Sequence, residues 1–185
     1  MQTLQERVRE LIIDIPNFPI EGIIFKDILP LFRHADLVKE LVAEMANELR
    51  PHDPTALVAM ESRGFLLGMP LALELNIPFV CIRKKGKLPG EVSGISYSLE
   101  YGNAEIEIQK SALSSTDRVI LHDDVLATGG TAHAAAQLIQ NTGAQLVAFS
   151  FLMELNFLNG REIIALNNAD IHTFAQFKKN RITTP

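Results

Sequence analysis

The sequence predicts an α/β fold in which a mostly parallel central sheet is covered by helices on both faces. Apolar runs of strand length alternate with longer segments of helical periodicity, most clearly over residues 55–75 and 119–141. Such alternation needs crossover connections, and these build parallel sheets. With 185 residues, the chain is long enough for a single domain with a full-sized core.

The first quarter of the chain predicts two helices separated by an irregular segment. Thr3 and Glu6 have the spacing of a capping box, so the first helix begins there. Pro16 and Pro19 end that helix and disfavour regular structure after it. The second helix is expected from about Asp36 to Leu49, because its apolar residues recur at helical spacing.

After the second helix, strand patterns alternate with helix patterns along the chain. The predicted elements are a strand over 55–60, a helix over 65–75, a strand over 79–82, a strand over 119–121, a helix over 132–141 and a strand over 146–153. Weak strand signals at 95–97 and alternating Ile106 and Ile108 predict a hairpin arm. Ligands of such sheets bind at the carboxyl ends of the strands.

Composition excludes several classes of function. The net charge of −5 argues against a nucleic-acid surface. No apolar run approaches the ~20 residues that span a bilayer, and the polar N-terminus does not resemble a signal peptide. The single cysteine, Cys81, cannot form an internal disulfide. We therefore expect a cytoplasmic protein that binds neither nucleic acid nor a membrane.

The segment from Val119 to Thr131 carries the strongest chemical signal. An apolar strand leads to Asp123 and Asp124, and a loop of small and hydroxyl residues then opens into a helix. Unpaired N–H groups at a helix start bind phosphate, whereas adjacent carboxylates suit sugar hydroxyls or a hydrated Mg²⁺. The segment therefore predicts a site for a ribose 5-phosphate, with the phosphate on Ala127, Thr128, Gly129, Gly130 and Thr131.

Two other phosphate motifs do not fit this segment. A P-loop needs a lysine after the second glycine, but Thr131 follows Gly130. The dinucleotide fingerprint G-x-G-x-x-G is also missing from the segment. Gly-Gly alone would indicate an ordinary turn between a strand and a helix, and only the whole string favours a site.

The same string resembles the phosphoribosyl diphosphate (PRPP) motif of type I phosphoribosyltransferases. Five more segments occur in the order typical of the adenine phosphoribosyltransferases, namely 17–27, 61–65, 82–90, 97–102 and 153–155. The resemblance implies the type I phosphoribosyltransferase fold in a single domain, 1–185, with an N-terminal hood at about 15–35 and a flexible lid hairpin at about 86–104. It also implies transfer of the phosphoribosyl group from PRPP to adenine, giving AMP and pyrophosphate.

The resemblance further implies roles for individual residues. Asp123, Asp124, Glu100 and Tyr101 would act in catalysis, the last two from the lid. Adenine would contact Ile24, Phe25, Lys26 and Leu155, and pyrophosphate would contact Glu61, Ser62, Arg63, Arg83 and Lys84. The Glu61–Ser62 peptide bond would be cis. Taken as bare sequence, Arg63 is an ordinary surface arginine, and residues 83–87 are a solvated basic run.

Cofactor and partners follow from the same resemblance. Mg²⁺ would be held mainly by PRPP and water, near Asp123 and Asp124, with no direct protein ligand. The chain would form a homodimer in which Arg83 reaches the neighbouring active site. Two alternatives stay open, a PRPP-binding regulatory protein on the same fold and a phosphoribosyltransferase for another purine. His122 would point to the opposite side of its strand, without a catalytic role.

Overall fold

The computed structural model describes residues 2–98 and 103–178. The chain divides into two compact units, one ending at Met45 and the other beginning at Ala46. The arrangement as one domain with a hood and a lid stays a prediction.

The N-terminal unit begins with a helix and a two-stranded ribbon. Helix α1 (Leu4–Leu11) has the predicted capping box, in which the Thr3 hydroxyl and the Glu6 carboxylate each accept a backbone N–H. Strands β1 (Ile13–Pro16) and β2 (Ile24–Asp27) pair antiparallel. The prediction of an irregular segment was therefore wrong at these strands, because a proline is tolerated at the end of a short edge strand.

A 3₁₀ helix (Leu29–Arg33) and helix α2 (Ala35–Leu49) follow the ribbon. Helix α2 begins one residue before its predicted start and crosses from the first unit into the second. At 15 residues it is the longest helix in the described ranges. Across residues 2–98 and 103–178, no helix has both the length and the apolar character that crossing a membrane requires.

The C-terminal unit is built on a seven-stranded sheet. Its strands are β3 (Ala56–Met60), β4 (Phe79–Lys84), β5 (Val92–Ser98), β6 (Asn103–Gln109), β7 (Arg118–Leu126), β8 (Gln145–Leu155) and β9 (Asp170–Phe177). They lie in the order β5-β6-β4-β3-β7-β8-β9. The pairs β4–β3, β3–β7, β7–β8 and β8–β9 are parallel. Strand β6 pairs antiparallel with both β4 and β5. The predicted mostly parallel sheet and its hairpin arm are confirmed.

Helices cover both faces of this sheet, as predicted. Helix α3 (Gly64–Leu75) lies against one face, where an added Cβ at Gly68 would be within 3.5 Å of Ala59 and His122. Helix α4 (Gly130–Gln140) packs on the other face, in a core cluster with the alternate residues of β3 and β7, such as Val58 and Leu121. His122 therefore points away from α4, as expected.

Three features of the second unit were not anticipated. Strand β7 was expected to end near Leu121, but it pairs with β8 as far as Leu126. The acidic pair Asp123–Asp124 thus lies within the strand rather than after it. Strand β9 and the short helix α5 (Gly160–Ala165) have weak sequence patterns and were missed.

Candidate active site

Two strand-to-helix connections meet at the carboxyl ends of β3 and β7. These strands are parallel neighbours, with Ala59 paired to His122, so the loops that follow them emerge at one edge of the sheet. Arg63, from the loop after β3, places its Nε 3.0 Å from Oδ2 of Asp124. The sheet therefore brings together two segments that lie about sixty residues apart in the chain.

The acidic pair is held in a largely desolvated position. Asp124 is 3% exposed, and its backbone N–H donates to Oδ1 of Asp123 at 2.8 Å. Burial, reinforced by the charge of Asp124, raises the pKa of Asp123 well above its ordinary value. Burial also raises the pKa of Asp124, against the opposing effect of Arg63. A bound cation or a set of hydroxyl donors would stabilise the charged form of both groups.

The predicted phosphate segment, residues 127–131, has a backbone geometry that suits an anion. Gly129 has a φ of +84° and is the N-cap of α4, and its carbonyl accepts the His133 N–H at 2.8 Å. The next N–H groups have no partner within the helix. A Cβ added at Gly130 would meet no heavy atom within 4 Å. In the described ranges, the hydroxyls of Thr128 and Thr131 have no hydrogen-bond partner, so both can serve as donors.

Gly160 supports this segment from behind and was missed at the sequence level. A Cβ at Gly160 would lie 2.9 Å from the Gly129 nitrogen and 3.0 Å from the carbonyl carbon of Ala127. Conversely, a Cβ at Gly129 would lie 2.6 Å from the Gly160 carbonyl oxygen. The two backbones therefore touch. In the sequence, the local sign of the turn at Gly160 is the pair Asn159-Gly160, because Asn-Gly is typical of turns.

The loop after β3 has the expected cis peptide bond between Glu61 and Ser62. The Glu61 N–H donates to the carbonyl of Ile82 at 3.0 Å, which ties the loop to β4. Helix α3 then begins at Gly64, where a Cβ would lie 2.8 Å from Oδ1 of Asp123. Glycine is therefore needed at position 64 because the helix start lies directly against the acidic pair.

The basic run after β4 is partly neutralised within the chain. Arg83 donates through Nε to Glu61 at 2.7 Å and through Nη1 to the carbonyl of Lys87 at 2.9 Å. Lys85 pairs with Glu105 at 2.8 Å, and this contact raises its pKa. Lys84 is exposed and forms no ion pair with any described residue. Among the described residues, Lys84 and Lys87 are thus the members of this run whose positive charge is open to a dissolved anion.

The predicted adenine residues lie in different units. On β2, Phe25 packs edge to face on Phe18 with ring centroids 5.1 Å apart, Lys26 is buried and pairs with Asp14, and Ile24 is exposed. Leu155 ends β8 in the second unit and pairs in register with Phe177 of β9. The ammonium group of Lys26 is thus engaged inside the ribbon. That the β2 residues and Leu155 both contact adenine stays a prediction.

The predicted lid is an antiparallel hairpin of β5 and β6, in register from Val92↔Gln109 to Ser98↔Asn103. Its base is fixed by the buried Glu107, whose carboxylate accepts the Gly86 N–H at 2.9 Å. Glu100 and Tyr101, the two predicted catalytic residues of the lid, lie outside the described residues.

Asp123 and Asp124 offer adjacent carboxylates that suit a magnesium ion. Carboxylate oxygens are the hard donors that Mg²⁺ prefers, and one or two of them hold an ion that keeps most of its water. No group of three or more metal-ligating side chains occurs in the part of the chain that the structure describes. The residues therefore fit a hydrated ion shared with a phosphorylated ligand better than a closed metal site.

Comparison with known proteins gives consistent matches. The model of the phosphoribosyl transferase domain family matches residues 26–160. An adenine phosphoribosyltransferase of Cytophaga hutchinsonii is 46% identical over 164 residues, which cover 89% of this chain and 91% of the relative. The crystal structure of adenine phosphoribosyltransferase from Thermoanaerobacter pseudethanolicus has a TM-score of 0.90 at 42% identity, covering 95% of this chain and all of that one.

A further solved structure contains ligands. It is the adenine phosphoribosyltransferase of Saccharomyces cerevisiae, complexed with an imino-altritol bisphosphate and adenine. Its TM-score is 0.84 at 41% identity, and the match covers 92% of this chain and 98% of that one.

Proposed function

The chain belongs to the adenine phosphoribosyltransferase family, and we propose from this premise a division of labour among its site residues. The reaction is transfer of the 5-phosphoribosyl group from PRPP to adenine, which gives AMP and pyrophosphate in purine salvage. One observation carries the assignment of residues, namely the meeting of the Arg63 loop with the acidic pair and the phosphate segment at a single sheet edge. PRPP requires hydrogen-bond donors for its pyrophosphate, acceptors for its ribose hydroxyls and a binding site for its 5-phosphate.

The ribose 5-phosphate end of PRPP lies on β7 and the start of α4 in this proposal. The 5-phosphate accepts N–H donors from Gly129, Gly130 and their neighbours, with hydroxyl donors from Thr128 and Thr131. Asp123 and Asp124 accept hydrogen bonds from the ribose hydroxyls. Because the phosphate is remote from the reacting carbon, its binding energy orients that carbon and fixes its distance from the base.

The pyrophosphate end is assigned to the loop after β3 and to the basic run. The backbone N–H of Ser62 and the guanidinium of Arg63 are the donors on one side, while Glu61, whose own N–H donates to the Ile82 carbonyl, shapes the loop. Arg83 and Lys84 supply positive charge that stabilises the leaving group as it departs. Mg²⁺, held mainly by PRPP and water, adds charge neutralisation at the same phosphates.

Departure of pyrophosphate leaves positive charge on the ribose ring. The carboxylates of the half-buried Asp123 and the buried Asp124 stabilise this charge, and they do so strongly because the surrounding protein screens it less than water would. Adenine attacks the ribosyl carbon through its ring nitrogen. Ile24, Phe25, Lys26 and Leu155 hold the base, while Glu100 and Tyr101 act on the base and the reacting ribose from the lid.

We assign a homodimer as the active form. Helix α3 exposes Leu66, Met69 and Leu73, which are spaced at one face of the helix. A stripe of large apolar side chains on a surface helix indicates a protein interface. In this dimer Arg83 leaves Glu61 and reaches the pyrophosphate of the neighbouring site. We also place the protein in the cytoplasm, because Cys81 is a free thiol.

A base-selection assay tests the activity. The purified protein is mixed with PRPP and Mg²⁺ and with adenine, hypoxanthine or guanine in turn, and nucleotide formation is followed by chromatography. We expect AMP from adenine and at most a trace of product from the two oxopurines. Equal or preferred use of an oxopurine would instead establish a different purine specificity. PRPP binding without product from any base would identify a regulatory protein and overturn the enzymatic assignment.

A further inference from the structure

Arg161 follows the glycine that supports the phosphate segment and anchors it to the sheet. Its Nε and Nη2 both donate to the Glu154 carboxylate, at 3.1 Å to Oε1 and 2.7 Å to Oε2. Its Nη1 donates to the carbonyl of Ile171 at 3.4 Å. A guanidinium bound to a carboxylate through two donors is held in orientation as well as in position.

Glu154 is itself fixed. It is 5% exposed, and the hydroxyl of Thr173 donates to its Oε2 at 3.1 Å. The same hydroxyl accepts from Nη2 of Arg161 at 3.2 Å, so the three side chains form a closed network. The Glu154 carboxylate is buried, whereas the Arg161 side chain is 40% exposed, so removing Arg161 leaves a buried charge without its partner, which is more disruptive than the loss of a fully exposed pair.

This network connects the two sides of the phosphate segment. Glu154 on β8 pairs in register with Leu126, the last residue of β7 and the one before Ala127. Arg161 stands next to Gly160, whose backbone touches Gly129. The contacts therefore form a closed ring. The end of β7 pairs with β8 at Glu154, Glu154 binds Arg161, and Gly160, next to Arg161, contacts the phosphate segment.

Gly160 lies in a short turn, which the fully buried Ile164 and the Arg161–Glu154 ion pair tie to the rest of the unit. It follows Asn159, which has a φ of +54°, and it starts a helix of only six residues. A helix this short is not stable by itself and depends on tertiary contacts. The ion pair to Glu154 is the charged contact that such a turn needs if it is to keep one position.

We propose that Arg161, held by Glu154 and Thr173, is a positioning residue that sets the conformation of the phosphate segment 127–131. The inference rests on the proposed function, because it takes that segment as the seat of the PRPP 5-phosphate. Arg161 touches no substrate. It acts through Gly160, whose backbone limits how far Ala127 and Gly129 can move away from the ligand.

An open surface depression beside the network makes a direct test possible. It has a volume of about 500 Å³ and is lined by Glu154, Asn159, Arg161 and Gln176, among others. Solvent thus reaches the guanidinium side of the ion pair. In an Arg161→Ala variant, a small guanidinium ion added to the buffer can enter and pair with Glu154.

The experiment compares Arg161→Ala with wild type in the KM for PRPP, the KM for adenine, kcat and the Kd for ribose 5-phosphate. We expect the KM for PRPP and the Kd for ribose 5-phosphate to rise about 10- to 100-fold, since a displacement of about 1 Å has effects of that size. The KM for adenine should stay within about threefold. Millimolar guanidinium chloride should restore PRPP affinity in the variant, whereas sodium chloride should not.

Two further variants separate positioning from general stability. Arg50→Ala removes another arginine–glutamate pair, Arg50–Glu74 at 3.0 Å, and should leave all four parameters near wild type. Thr173→Val preserves volume and loosens Glu154, so it should change PRPP affinity in the same direction by a smaller factor. If Arg161→Ala does not fold, the Thr173→Val result decides the question.

Unchanged affinity for PRPP and ribose 5-phosphate in a folded Arg161→Ala variant would overturn the inference. So would an equal rise in both KM values with a lower Tm and no guanidinium rescue, because that pattern describes general destabilisation. If wild type forms no AMP, the proposed function fails, but the Kd for ribose 5-phosphate still tests the role of Arg161.

Discussion

At the residue scale, the acidic pair is the most constrained feature of the site. Asp124 is buried, faces Arg63 and has a raised pKa, so keeping a carboxylate here opposes folding rather than assisting it. A group that a fold retains at such a cost is a candidate for function rather than for structure. The same argument applies to Asp123, whose pKa burial also raises.

The first prediction concerns Asp124. Replacing it by asparagine should lower kcat by about 100- to 1,000-fold, because the site loses charge next to the ribosyl cation. The fold should remain, since an amide has nearly the same shape and no charge to desolvate. Steady-state kinetics and a thermal melt measure the two effects. Near-normal turnover would refute the role assigned to Asp124, and a collapsed melt would show that the residue is structural.

The second prediction concerns pH and His122. Burial lowers the pKa of His122 to about 3, and its Nδ1 lies 3.2 Å from the Ser150 hydroxyl. An unfolded chain takes up this proton below about pH 6.5. The stability that neutral His122 contributes is therefore complete above about pH 6.5 and is lost as the pH falls towards 3.

Urea unfolding at a series of pH values tests whether stability falls as the pH is lowered, as this argument requires. Between about pH 6 and 4, the unfolding free energy of wild type should fall more steeply than that of His122→Leu, by up to about 1.4 kcal/mol per pH unit. Other titrating groups are common to both proteins, so the difference isolates His122. Parallel curves for the two proteins would mean that the histidine is protonated in the folded state.

At the scale of the elements, the parallel neighbours β3 and β7 bring Arg63 and the acidic pair to one edge of the sheet. The sequence of residues 119–131 was sufficient to predict a strand, a phosphate segment and a helix. It was not sufficient to predict that β7 continues to Leu126, because that length comes from pairing with β8. Gly160 was missed for a related reason, since its importance depends on a contact across about thirty residues of chain.

The third prediction belongs to this scale. Gly160→Ala places a methyl group 2.9 Å from the Gly129 nitrogen, so the phosphate segment must move. We expect the KM for PRPP to rise about 100-fold, with a smaller change in the KM for adenine. Gly143→Ala is the control for a methyl group at a crowded glycine outside the site, because a Cβ there would meet only Ser115, at 3.2 Å, although its φ of +88° adds local strain. Equal kinetics for both variants would argue against the backbone contact.

At the scale of the whole molecule, exposed apolar side chains mark surfaces that other molecules cover. The β1–β2 ribbon exposes Phe18, Ile20 and Ile23 in the first unit, and α3 exposes Leu73 in the second. Patches of this kind are uncommon on surfaces that face only water. We associate the ribbon with substrate and the α3 stripe with the partner subunit.

The fourth prediction tests the α3 stripe. Leu73→Asp should convert a dimer to monomers in light scattering, because it puts a charge at the centre of an apolar interface. Activity should fall with it, since Arg83 could no longer reach a neighbouring site. Leu166→Asp is a matched control, because Leu73 and Leu166 are each 72% exposed. Dimers that persist in Leu73→Asp would locate the interface elsewhere.

The sequence by itself determined the strand–helix alternation and the chemistry of the segment around Asp123, because both depend on local periodicity and on residue type. It also determined the family, through segments that stand in a fixed order. Only the tertiary structure decided which groups meet. The pairing of Arg63 with Asp124, the support of Gly129 by Gly160 and the anchoring of Arg161 on Glu154 all arise where separate strands end at one sheet edge. Contacts between distant segments leave no periodic trace in a sequence, so the geometry of a site appears only when the sheet is assembled.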